Sequence, residues 1–386
     1  MKGNPLSELE SFGQSIWMDF ISRGTISSGQ LQKWIEQDGV SGVTSNPSIF
    51  EKAITGSDDY DESIRALGLS GETPGEILRL LTVEDIQRVA YLLRPTYDRT
   101  DGRDGFVSLE VSPGLAHDTE GTIAEARELW TRVNRPNVMI KVPATLEGIP
   151  AIRELTGDGI NVNITLLFGL PRYREVADAY IGGLEVLAAK KRPLKLVASV
   201  ASFFLSRIDT LIDPLLEKMM KKGNPQAGIA ARLHGQIAIA SAKVAYEMYK
   251  EMFSGDRFTR LANSGARTQK LLWASTSTKN PAYSDTKYVE ALIGPDTINT
   301  VPVETLNAYR DHGHPEQTLD QEVRKAHQVL NELSVVGIDL DAVTQQLEDD
   351  GIEKFITAHG QLMASIKEKS AALHHDLYRP LAAQHE

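Results

Sequence analysis

Lys141 stands inside Val138-Met139-Ile140-Lys141-Val142-Pro143, a run that otherwise reads as a buried strand. Lysine is seldom fully buried without compensation for its charge. The position therefore calls for an ammonium that snorkels to water, or for an amine with chemistry to do. A strand places residues two apart on one face. That parity groups Trp17 with Asp19 and Ile21, Thr44 with Asn46, and Ser108 with Glu110. It also groups Met139, Lys141 and Pro143, then Asn161, Asn163, Thr165 and Leu167, and it closes a sixth segment at Ser202. Six successive apolar segments thus carry a polar or ionisable residue near the C-terminal end. Singly these mean little: Asn46 before Pro47 is as readily a turn former or helix cap, and hydroxyls are ordinary in strands. Glu110 could be solvated at a rim. A lysine and two carboxylates aimed into one space are harder to dismiss, since each is costly to bury without partners.

An apolar wall around Lys141 is expected to disfavour its ammonium form. The free amine can then attack a ketone and form a Schiff base, an electron sink for carbon–carbon cleavage. Such chemistry also requires an acid/base for the substrate hydroxyl and another for the water that leaves or joins the carbinolamine. Asp19 and Glu110 are the two carboxylates at hand. This scheme uses no cofactor and no metal, and none is expected. His234, His312, His314 and the His374–His375 pair show no HExxH or other metal-site spacing and read as surface or loop histidines. Trp17, Trp34, Trp130 and Trp273 read as core packing. Residues 218–222, KMMKK, read as a solvated helix end where cations suit the dipole.

The elements that must position these groups alternate along the chain. Candidate strands are 15–21, 41–46, 105–111, 137–142, 161–168, 195–203, 270–276 and 297–302. Helical periods fall between them, for example over 122–133 and 171–191, with Pro74 and Pro171 suited to first turns and Thr119 or Thr122 to capping. About eight strands separated by helices predict a parallel sheet, closed or doubly wound. The absence of GxGxxG or Walker patterns favours the closed form. The expected fold is therefore an α/β (β/α)8 TIM barrel, a single domain over 1–386, with additional helices. Residues 47–104 are expected to hold several short helices, 225–268 a long helix plus a loop, and 316–375 a C-terminal helical extension packed on the barrel.

Composition narrows the partners. The 386 residues are 41% hydrophobic and 24% charged, as in ordinary globular proteins. A formal net charge of −11 argues against a general nucleic-acid or anionic-membrane binder. With no cysteine, disulfides and thiolate catalysis are excluded. The N-terminal MKGNPLSELESFGQS lacks a signal peptide's apolar core, and no apolar run approaches the ~20 residues of a membrane span. A cytoplasmic enzyme is expected, without nucleic-acid or membrane partners.

Seven motifs in order give the chain a resemblance. They are MDF (18–20), GVTSNPSIF (42–50), SLEVSP (108–113), IKVPAT (140–145), NITLLF (163–168), SFFLSRID (202–209) and TVPVETLNAYRDHG (300–313). The chain resembles the transaldolases, of the longer bacterial type, over most of its length. The family fold is a (β/α)8 barrel with its Schiff-base lysine on the fourth strand, where Lys141 falls. The resemblance implies that Lys141 bonds to a ketose phosphate and that Asp19 takes the proton of the donor's C4 hydroxyl. It implies that Glu110 and Thr165 hold the water of carbinolamine dehydration. Asn46, Asn163 and Ser202 would hydrogen-bond the dihydroxyacetone portion, while Arg207, Ser277 and Lys279 would bind the phosphate. The implied reaction exchanges sedoheptulose 7-phosphate and glyceraldehyde 3-phosphate with erythrose 4-phosphate and fructose 6-phosphate, in the pentose phosphate pathway. Phe204, beside Ser202, offers a non-polar wall that leans toward transfer over release. Two rivals remain: a class I aldolase that releases dihydroxyacetone, and a non-covalent phosphosugar-binding or isomerase barrel. Monomer and homodimer are both left open.

Overall fold

Each of the eight apolar segments supplies one strand of a closed parallel barrel. In the computed structural model, which describes residues 3–221 and 225–377 (side chains to 371), the strands run in chain order around the barrel. They are β1 (Gln14–Met18), β2 (Val40–Val43), β3 (Phe106–Glu110), β4 (Val138–Pro143), β5 (Val162–Leu167), β6 (Ser199–Phe204), β7 (Gln269–Ala274) and β8 (Thr297–Val301). β8 closes on β1 in parallel, from Gln14 opposite Thr297 to Met18 opposite Val301. Parallel neighbours require crossover connections, and every one of these connections contains helix. The strands are buried nearly throughout, which is why they read as apolar runs.

Local signals set the helix starts. Pro74 opens Pro74–Arg99 behind the cap Thr73, and Pro171 lies in the first turn of Leu170–Ala189. The helix Thr119–Val133 is capped not by Thr119 or Thr122 but by Asp118, whose carboxylate accepts the Gly121 N–H. The sixth strand starts at Ser199 rather than 195: residues Leu194–Leu196 form a short 3-10 turn with Lys195 and Leu196 exposed. The 47–104 stretch is not only short helices, because Pro74–Arg99 runs 26 residues and continues through Pro95. Its buried stripe of Ile77, Leu81, Ile86, Val89 and Leu93 supplies the packing that sustains such a length. The 225–268 stretch holds three helices, Ala227–Leu233, Ile237–Ser254 and Asp256–Ala262, broken at Gly235 and Gly255. Gly235 sits at φ +69°, a left-handed conformation that suits glycine.

Inside the barrel, Trp17 is fully buried and donates its indole N–H to Asp104 Oδ1 at 2.8 Å. Gly42 on the neighbouring strand makes room for it, since a Cβ there would lie 2.3 Å from the ring. Trp34 and Trp273 are also core residues, and Trp130 packs half-buried against the core. Lys218 and Lys221 are exposed in the last turn of Ser206–Lys221, whereas Lys222 and the His374–His375 side chains lie outside the described residues. The extension forms Val323–Val335 and Leu340–Leu377. The second of these packs against the helices Pro47–Thr55, Asp61–Leu69, Pro74–Arg99 and Ser206–Lys221 and against β5. It passes so near the barrel mouth that a Cβ on Gly351 would lie 2.8 Å from Leu166 Cδ2 and 3.4 Å from Arg207 Nη1. Among the described residues no helix is long and apolar enough to cross a membrane.

Candidate active site

Of the parity-grouped side chains, Asp19, Thr44, Asn46, Lys141 and Ser202 meet at the C-terminal ends of the strands, the end where barrel enzymes carry their chemistry. A cavity of about 660 Å³ opens there. Asp19, Asn46, Lys141 and Ser202 line its floor-side wall together with Thr44 and Thr300. Phe204, Arg207, Ser277 and Lys279 line another part of it, and Phe355 from the C-terminal helix reaches it as well. Glu110, Asn163 and Thr165 do not line this cavity: Asn163 and Thr165 are buried, and Glu110 borders a second, smaller cavity.

Lys141 is 3% exposed, so it does not snorkel to bulk solvent. Its Nζ lies 3.2 Å from Glu110 Oε2 and donates to the Ser45 carbonyl at 3.1 Å. The amine's nearest partners are thus a carboxylate and a carbonyl, not the apolar wall expected from the strand sequence. Register explains it: Glu110 pairs directly opposite Lys141 on β3, and Asn163 opposite it on β5.

Asp19 follows β1, held by its N–H to Val301 O at 2.8 Å. Its Oδ1 accepts the Thr44 hydroxyl at 2.8 Å, and Thr44 also meets the Thr300 hydroxyl at 2.9 Å. Burial pushes the Asp19 and Glu110 carboxyls above their ordinary values. The Lys141 charge opposes this at both sites, as does the Thr44 hydrogen bond at Asp19, without reversing it.

Ser202 donates to Asn163 Oδ1 at 2.7 Å, and Asn163 Nδ2 donates to Ser108 Oγ at 2.9 Å. Asn163 is therefore committed at both ends of its amide, while the Ser202 oxygen keeps its acceptor capacity toward the cavity. Thr165 is fully buried, and its hydroxyl has no hydrogen-bond partner among the described residues. Asn46 satisfies both readings made of it. It caps Pro47–Thr55 by accepting the Ile49 N–H at 3.0 Å and it lines the cavity.

Arg207 is not a solvated helix residue. It sits half-buried in the first turn after β6, with its guanidinium over the Phe204 ring at 5.3 Å, and its Nη1 is buried without a hydrogen-bond partner among the described residues. Burial lowers its proton affinity from the usual arginine value. Lys279 donates to Ser277 Oγ at 2.6 Å on the segment after β7. Phe204 also packs beside Phe168 at 5.2 Å. Sequence reading assigned no role to Thr44, Thr300 or Phe355. Thr44 carried a signal, sharing a strand face with Asn46, whereas Phe355 carried none. His312 and His314 are exposed, but His234 is half-buried between Glu217 and Tyr283 rather than a simple surface residue.

Fold and site together define a (β/α)8 barrel enzyme with an amine and two protonation-prone carboxylates at its C-terminal mouth. The family profile described as transaldolase/fructose-6-phosphate aldolase matches residues 16–366. A protein named transaldolase from Trichodesmium erythraeum is 46% identical over 374 residues, covering 96% of this chain and 98% of that protein. The transaldolase of Parafrankia sp. is 48% identical over 366 residues, with 95% and 98% covered, and that of Thermobifida fusca is 46% identical over 371 residues, with 96% and 99% covered. The chain belongs to the transaldolase/fructose-6-phosphate aldolase family and is an enzyme, a transferase of the transaldolase type.

Proposed function

We propose that this enzyme moves a dihydroxyacetone unit from a ketose phosphate to an aldose phosphate through a Schiff base on Lys141. One observation carries the reading: Lys141 Nζ stands 3.2 Å from Glu110 in the chamber that Asp19 also faces. Glu110 accepts a proton from the ammonium, and the free amine adds to the ketose carbonyl carbon. The carbinolamine oxygen leaves as water, protonated by Glu110, with the unpartnered Thr165 hydroxyl helping to hold that water. Asp19 then removes the C4 hydroxyl proton, the C3–C4 bond breaks, and its electron pair flows into the iminium. An aldehyde departs and an enamine remains on Lys141. An acceptor aldose phosphate reverses these steps, taking its proton back from Asp19, and water frees the new ketose. A covalent intermediate that outlives the first product gives ping-pong kinetics.

Asn46 and Ser202 bind the dihydroxyacetone hydroxyls, and Asn163 fixes Ser202. Arg207, Ser277 and Lys279 take the phosphate. Lysine contributes a point charge there rather than a bidentate fork. The substrates are sedoheptulose 7-phosphate with glyceraldehyde 3-phosphate, exchanging with erythrose 4-phosphate and fructose 6-phosphate in the pentose phosphate pathway, and the enzyme works in the cytoplasm. The C-terminal helices belong to the same folding unit as the barrel. An aldolase that releases dihydroxyacetone is the second reading. Phe204 and Phe355, which line the cavity, favour transfer over it by presenting apolar surface beside the intermediate. The test is borohydride reduction in the presence of fructose 6-phosphate. A stable mass increase is expected, and it should vanish in Lys141→Ala. Absence of an adduct in the parent enzyme removes both covalent readings.

A further inference from the structure

The phosphate-binding residues come from two separate segments, so something must fix the spacing between them. Arg207 lies at the start of the helix Ser206–Lys221, while Ser277 and Lys279 lie on residues 275–286, a stretch without helix or strand. The near end of that stretch is stapled by Ser206 N–H to Ser275 O at 3.0 Å and by the Ser206 and Ser275 hydroxyls at 2.9 Å. The far end is stapled by two carboxylates one turn apart on Arg207's own helix. Asp209 Oδ2 accepts from Tyr288 at 2.8 Å and from Lys287 Nζ at 3.1 Å, and Asp213 Oδ2 accepts from the Tyr283 hydroxyl at 2.6 Å. The other oxygens of both carboxylates are occupied as well: Asp209 Oδ1 takes the Ala238 N–H and Asp213 Oδ1 the Gly235 N–H. Tyr283 itself is clamped. Its ring lies 3.6 Å from Lys287 Nζ, His234 meets its hydroxyl at 3.2 Å, and a Cβ on Gly235 would lie 2.6 Å from its oxygen. At the far end, none of Asp209, Asp213, Tyr283, Lys287, Tyr288 and His234 lines the cavity. Their only route to the reaction is through the placement of the segment that carries Ser277 and Lys279.

We propose that Tyr283, through Asp213, is a positioning residue for phosphate recognition, holding Ser277 and Lys279 at a fixed distance from Arg207. The proposal rests on the phosphate-binding reading of those three residues. Tyr283→Phe tests it while keeping the ring that packs on Lys287. Inorganic phosphate is titrated calorimetrically into the parent enzyme, Tyr283→Phe and Arg207→Ala, and borohydride trapping is followed with dihydroxyacetone and with fructose 6-phosphate. The expected outcome for Tyr283→Phe is a phosphate dissociation constant raised on the order of tenfold, the scale at which outer partners tune a site. The half-saturating fructose 6-phosphate concentration should rise with it, while the dihydroxyacetone trapping rate stays at the parental value. Unchanged phosphate affinity overturns the proposal. So does an equal loss with both trapping substrates, which is the signature of a general structural defect. Parental phosphate affinity in Arg207→Ala refutes the phosphate site itself, and the proposal with it. Absence of trapping in a parent that binds phosphate refutes only the Schiff-base chemistry.

Discussion

Asp19→Asn separates cleavage from Schiff-base formation. The amide oxygen of Asn can still accept the Thr44 hydroxyl, now 2.8 Å from Asp19 Oδ1, and the Asp19 N–H still reaches Val301 O. Shape and volume are nearly kept, so the Thr44–Thr300 contact and the Lys141 chamber should persist. What disappears is a group able to take and return a proton. A positioned acid/base contributes roughly 10²–10⁴-fold, which is about 2.7–5.5 kcal/mol at ~1.36 kcal/mol per factor of ten. Transfer measured as kcat/KM with fructose 6-phosphate and erythrose 4-phosphate should fall by that factor, while borohydride trapping of the donor keeps its parental rate. Trapping that falls as far as turnover refutes the assignment, and so does parental turnover. A second readout follows from burial. The Asp19 carboxyl is raised in the folded state, chiefly by desolvation. Its contribution to stability is therefore full below the unfolded-state value and is lost as pH rises through the folded-state value. Asn does not ionise, so the variant should gain thermal stability relative to the parent as pH rises above about 4, the ordinary unfolded-state aspartate value. A relative loss over that range would show that Lys141 attraction, not burial, governs the group.

Phe204→Ser should raise the share of bound dihydroxyacetone lost to water at least severalfold, because the ring beneath Arg207 and beside Phe168 is removed. Product analysis with and without an aldehyde acceptor reads this directly, and an unaltered ratio would remove Phe204 from the account of transfer against release. Gly42→Ala probes the barrel rather than the site. Its Cβ would lie 2.3 Å from the Trp17 ring, and overpacking of this kind costs about 1–3 kcal/mol. The urea midpoint should drop accordingly, and a parental midpoint would mean that Trp17 repacks freely.

Strand parity sufficed to put Lys141, Asp19 and Glu110 into one space, because a period of two is strict and the strands are buried. It could not set depth. Glu110 and Thr165 do not line the cavity while Lys141 reaches it, a difference made by barrel register rather than by sequence spacing. The Thr44–Thr300 contact spans 256 positions and exists only because β8 closes on β1 beside β2. The Asp213–Tyr283 link spans 70 positions, and no local pattern announces it. The long helix plus loop expected over 225–268 resolves into three helices because the apolar content runs on across Gly235 and Gly255, where backbone geometry breaks them. Phe355 and Gly351 lie in a helix whose own period describes its packing face but not where that face crosses the mouth.

The charge arrangement itself argues for chemistry over structure. If Lys141 were present to stabilise the barrel, one carboxylate would suffice, and Glu110 at 3.2 Å already supplies it. Even that pair gives weak grounds for stability, since desolvating two charges offsets most of their attraction. Asp19 adds a second carboxylate facing the same amine, and its charge further raises the proton affinity of Glu110. Arg207 brings a further cation, with one guanidinium nitrogen buried and without a hydrogen-bond partner among the described residues. A core selected for stability would have removed these surpluses. A site that must pass protons between an amine, a hydroxyl and water while gripping an anion requires each of them. The spare acid is the one that can act while Glu110 serves the amine, and that guanidinium nitrogen is a donor that a phosphate oxygen can satisfy.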